Sequence, residues 1–133
     1  MQSKTLQRSM EYLRDQGYTV GKVEMPWNRF SKVRQDFCGF ADAIAYHLEK
    51  NETLAIQACT DDGGVQKHLE KLLALENVRV WVSQPSRRLE IWGWGKRGER
   101  GKRKLWTLRI VPITLDTFNQ REQQNLTPEL SLA

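Results

Sequence analysis

Cysteine and histidine are scarce in this chain, and each shortage closes off a class of protein. The two cysteines, Cys38 and Cys59, lie in apolar or strand-like surroundings that suit reduced core thiols of an intracellular protein. The two histidines, His47 and His68, have no CxxC or HxH neighbours, so the spacing of a structural zinc site is missing. No nucleophile-elbow pattern appears either. No apolar run approaches the roughly 20 residues a membrane helix needs, and Met1 to Met10 contains no signal-peptide core. A cytoplasmic protein outside the membrane is therefore expected. With 39% apolar residues and 5 tryptophans in 133 residues, the chain is too apolar for disorder and suits one core.

Acidic residues are locally scarce too. From Ser86 to Arg109 nine basic residues face only Glu90 and Glu99, a local charge of +7 in a chain whose total is +5. Such a concentration suggests a polyanionic partner, nucleic acid first among them. The candidate contacts are Lys96, Arg97, Arg100, Lys102, Arg103 and Lys104, joined by Arg34 from the basic loop Asn28 to Gln35. The competing reading is a hairpin kept basic for solubility. Trp81, Trp92, Trp94 and Trp106 read chiefly as cross-strand packing, with stacking on an unpaired base as a second role.

Periodicity orders the elements. Leu6, Met10 and Leu13 recur at helical spacing and Gly17 follows as a cap, predicting a helix from Lys4 to Gln16. Tyr18 to Met25 alternates as a strand and Pro26 stops it. Asp36 to Leu48 reads as a second strand bent at Gly39. After a turn at Asn51-Glu52, Thr53 to Thr60 reads as a buried central strand. A helix is expected from Gly63 to Glu76 on the stripe Val65, Leu69, Leu72 and Leu73, with Asp61 and Asp62 as N-cap or helix-dipole residues. Val78 to Ser83, Leu89 to Trp94 and Lys104 to Ile113 follow as strands, the Gly63 helix serving as a crossover to a parallel partner. One domain would span residues 1–115, with a polar tail over 116–133.

Asp42 and Gln57 are the polar residues that do not belong. Each interrupts a hydrophobic strand, and a buried carboxylate or amide is costly unless paired, hydrogen-bonded or bound to a cation. Oxygen ligands on neighbouring strands suit Mg²⁺. Gly39-Phe40-Ala41-Asp42 and Ile56-Gln57-Ala58-Cys59, in a helix, three strands, helix, strand order, resemble the PD-(D/E)XK nuclease superfamily, especially small archaeal-type Holliday junction resolvases and phage-borne nuclease-like proteins. The resemblance runs from about Lys4 to Ser83. It implies an α/β, restriction-endonuclease-like single domain: a mixed sheet flanked by helices, with an αβββαβ core and a C-terminal β-hairpin extension.

What the resemblance implies for the site is specific. Asp42 takes the family's metal-binding aspartate position, Gln57 the second acidic position, and Asp36 is a further candidate ligand for Mg²⁺ or Mn²⁺. Cys59 falls where the family has lysine; Lys67, or Lys71 one turn later, is the candidate replacement. Glu11, or Gln7, stands for a first-helix glutamate. The activity implied is metal-assisted hydrolysis of DNA phosphodiesters in branched substrates by a homodimer. The departures at Gln57 and Cys59 keep open a second reading, a nuclease-fold protein that binds nucleic acid without cleaving it. A third, partner binding with no nucleic acid, leaves the basic segment as solvated surface.

Overall fold

The computed structural model describes residues 3–23, 37–98 and 100–122. The first helix forms as its periodicity predicts. α1 (Lys4–Asp15) begins at the Ser3 cap, whose side chain accepts the Leu6 N–H, and buries Leu6, Ser9, Met10 and Leu13. Gly17 then turns the chain at positive φ. A Cβ there would lie 2.7 Å from His47 Nε2, so glycine is required twice over.

Five strands form one mixed sheet in the order β1-β2-β3-β4-β5. β1 (Tyr18–Lys22), β2 (Ala43–His47) and β3 (Lys50–Thr60) make an antiparallel meander. β4 (Arg87–Arg97) lies parallel to β3, and β5 (Leu105–Ile113) returns antiparallel along the edge. Between β3 and β4 the chain crosses over through α2 (Gly64–Leu73) and α3 (Glu76–Val82).

The side chains divide by strand parity. Leu54, Ile56 and Trp92 face α1, together with Ala43 and Ala45. Ala55, Cys59, Leu89 and Ile91 face Val65 and Leu72 of α2 and Val78 and Val82 of α3. Each face buries its own core, which is why the central strands carry almost continuous apolar runs.

Four expectations need correction. Val78 to Ser83 is not a strand but α3. Val78 and Val82 are buried at helical spacing, Trp81 packs beside them, and Val80 is 57% exposed, so a four-residue period wins over the apparent alternation. The parallel partner of β3 is consequently β4, so the observed order is αβββααββ and the single strand β5 follows where a two-stranded extension was expected. The expected bend near Gly39 is a tight turn: Cys38 and Gly39 have positive φ and Phe37 bridges Ala41, leaving β2 to begin at Ala43. The hairpin turn falls at Leu48-Glu49, not Asn51-Glu52. Finally, residues 115–122 are helical and Phe118 is buried in the α2/α3 core, where a polar tail was expected.

Candidate functional site

Asp42 ends the tight turn and enters β2, while Gln57 lies in the middle of β3. Antiparallel pairing through Ala43 and Ile56 sets them side by side on the face covered by α2 and α3. Asp42 Oδ2 accepts the Ala58 N–H at 3.0 Å and Gln57 Nε2 at 3.3 Å. Gln57 Oε1 is buried without a hydrogen-bond partner. Both residues are enclosed, Asp42 at 9% exposure and Gln57 at 5%. The expected juxtaposition is present, but it is closed to solvent.

Cys59 shares that face, and burial pushes its thiol up to about 11, with further contributions from the charges of Asp61, Asp42 and Asp62. A neutral thiol supplies neither the positive charge nor the amine of a lysine. The Lys67 side chain is exposed on α2 and makes no hydrogen bond or ion pair among the described residues. Glu11 belongs to the helix on the opposite face, where it accepts a hydrogen bond from Gln7. Asp36 and Arg34 lie outside the described residues.

Chemically, one carboxylate and one orphaned amide oxygen are oxygen donors of the kind Mg²⁺ accepts. Among the described residues no group of three or more His, Cys, Asp or Glu side chains surrounds them. The residues present therefore supply two oxygen donors to a hard cation, and their enclosure would have to open before water or phosphate could complete its coordination.

The basic segment divides into committed and presented charges. Arg87 donates to the Trp81 and Val80 carbonyls. Arg88 bridges Glu52 at 2.9 Å and the buried Glu90. Arg97 and Arg109 both grip Asp61, the latter at 3.3 Å. Lys96, Arg100, Arg103 and Lys104 are exposed at and beside the β4–β5 turn, and so is Lys102, which has an interaction of its own.

Asp61 thus has a role that its position before α2 did not suggest. The helix cap is Gly63, with no side-chain capping bond, and Asp62 accepts from Thr60 Oγ1 at 2.7 Å. The Asp61 side chain is only 6% exposed. Gly93 and Gly95 make room for it: a Cβ on Gly93 would sit 3.3 Å from Asp61 Cβ and 2.5 Å from Val65 Cγ2, and one on Gly95 would sit 3.4 Å from Asp61 Cβ. The alternation Trp92-Gly93-Trp94-Gly95 was the available signal, since glycine inside a strand marks close approach by something else.

The chain matches no family model, no curated protein and no solved structure. Function has to be read from the geometry.

The tryptophans separate as well. Trp92 and Trp94 are buried, with Trp92 Nε1 donating to Glu90 and Trp94 Nε1 to Ser9 Oγ, which donates onward to the Thr5 carbonyl. Trp81 Nε1 donates to the Arg88 carbonyl. Packing accounts for these three. Trp106 differs: it is 44% exposed on the edge strand, with the Arg8 guanidinium 4.0 Å and Lys96 Nζ 5.3 Å from its ring centre.

Proposed function

We propose that this protein binds nucleic acid through the β4–β5 hairpin, on a core of the restriction-endonuclease-like type. The observation that carries the reading is the sorting of the basic residues. Four arginines are tied to carboxylates or carbonyls of the fold, while Arg100, Arg103 and Lys104 are exposed in and beside the β4–β5 turn, with Lys96 exposed near the end of β4. Solubility alone asks for dispersed charge of both signs. With Glu99 the only acidic residue between Lys96 and Lys104, this segment keeps a strong positive field of the kind that phosphates meet.

Binding should weaken linearly in a plot of log affinity against log salt, because each phosphate contact releases a counterion. Replacing Arg100, Arg103 and Lys104 by alanine should flatten that slope by roughly 2–3 units on duplex DNA at about 0.9 per contact. A slope equal to that of the parent protein, or no retention of DNA at low salt, overturns the reading.

A second reading, divalent-metal-dependent DNA cleavage, has its own observation in its favour. The Asp42 carboxylate and the Gln57 amide, whose Oε1 has no hydrogen-bond partner, stand together where the start of β2 meets the later part of β3, the position that the PD-(D/E)XK resemblance implies for the metal. Those two residues would hold Mg²⁺ or Mn²⁺, which when bound supplies Lewis-acid polarisation of a phosphate oxygen. Nicking of plasmid or of a four-way junction in either ion, abolished by Asp42→Asn with DNA retention intact, supports this reading. Retention without cleavage by the parent protein leaves DNA binding alone.

A further inference from the structure

The parallel pair β3–β4 ends unevenly. Thr60 is the last residue of β3 and pairs Trp94, yet β4 and β5 run on to Arg97 and Leu105. Beyond the carboxyl end of β3 this leaves a cleft of about 330 Å³, walled by Thr60 and Asp62 on one side and by Trp94, Gly95, Lys96 and Trp106 on the other. In open α/β sheets this end of a parallel strand is where ligands settle.

We propose that the cleft receives an unpaired nucleobase, stacked on Trp106. The inference rests on the nucleic-acid reading above and adds a substrate class to it: strands with bases free of a duplex, such as tails, flaps or junction arms. Three features support it. Trp106 lines the cleft and is 44% exposed, so a base would stack on the ring surface that Arg8 leaves open, and base–aromatic stacking tolerates any base because every base has a π-face.

Arg8 and Lys96 come from different elements yet both lie against the Trp106 ring, so positive charge is already positioned for the phosphates that flank a stacked base. The Asp62 carboxylate, exposed and held by Thr60, offers an acceptor to the exocyclic amine of adenine, guanine or cytosine. The rear wall is rigid, because Trp94 is pinned to α1 through Ser9. A base inside a duplex cannot enter, because both of its π-faces are already stacked on its neighbours.

The test compares a fluorescein-labelled mixed-sequence single strand with the blunt duplex of the same sequence, by anisotropy and by quenching of tryptophan emission. Trp106→Ala should weaken single-strand binding by about ten-fold or more, leave the duplex within two-fold and keep the salt slope unchanged. Trp106→Phe should restore most of the loss. Equal effects on both ligands, or none on the single strand, overturn the stacking site while leaving hairpin binding standing. Absence of salt-dependent binding to either ligand overturns both. Trp106 lies on an exposed edge strand, and a denaturation curve for Trp106→Ala with an unchanged midpoint separates lost stacking from lost folding.

Discussion

Asp61→Asn should move stability and nucleic-acid binding in opposite directions. The Asp61 carboxylate is almost fully buried and holds Arg97 and Arg109, whose side chains are 56% and 55% exposed. Asparagine keeps the shape that fits between Gly93 and Gly95 and removes the charge. Because both guanidinia can rehydrate, each contact is worth about 0.5–1 kcal/mol after solvent screening, not the full strength of a buried pair.

The stability loss should total about 1–2 kcal/mol, or a Tm lower by roughly 4–8 °C for a domain of this size. Two arginines then become available beside the basic turn, and one local negative charge is gone. Duplex affinity should rise several-fold, with the salt slope steeper by about 1–2 units. Thermal unfolding and anisotropy titrations over a salt series read both effects. Affinity that falls with stability, or an unchanged slope, would refute the claim that Asp61 withholds these arginines.

Gly93→Ala should cost about 1–3 kcal/mol in urea unfolding, since its Cβ would lie 2.5 Å from Val65 Cγ2; combining it with Val65→Ala should recover part of that cost, and strict additivity would show that the clash is relieved elsewhere. The Cys59 thiol, raised by burial from 9.0 to about 11, favours the protonated folded state. Its contribution is complete below pH 9 and disappears as pH rises toward 11, because the unfolded chain loses that proton first; Cys59→Ala should flatten stability over this window. In the native protein at pH 8, iodoacetamide should label the exposed Cys38 well before Cys59, and simultaneous labelling would contradict the burial of Cys59.

Burial at His68 acts in the reverse direction, lowering its pKa from 6.5, with Lys71 adding repulsion. The unfolded chain therefore binds a proton first as pH falls below 6.5, and stability should decline there. His68→Gln should reduce the decline, measured as the urea midpoint against pH.

Much of this protein could be read from one dimension. The apolar spacing of Leu6, Met10 and Leu13 determined α1, and the unbroken run through Ile56 determined a strand buried on both faces, because these patterns can hide from water in only one way. The adjacency of Asp42 and Gln57 was legible from the order of elements and a family resemblance, and the basic hairpin from a simple charge count. Where a short pattern had two solutions, tertiary packing chose. Val78 to Val82 satisfies a period of two or of four, and only the surface beneath it, which buries Val78 and Val82 but leaves Val80 in water, selected the helix.

Which charges remain available was likewise invisible in sequence. Arg97 and Arg109 differ from Arg100 and Arg103 only because folding carries Asp61 from the end of β3 into a gap left by two glycines. The same folding closes Asp42 and Gln57 beneath their neighbours. A residue's type is local, but its solvent and its partners are supplied by segments distant in the chain, and those decide whether a charge binds a ligand or holds the protein together.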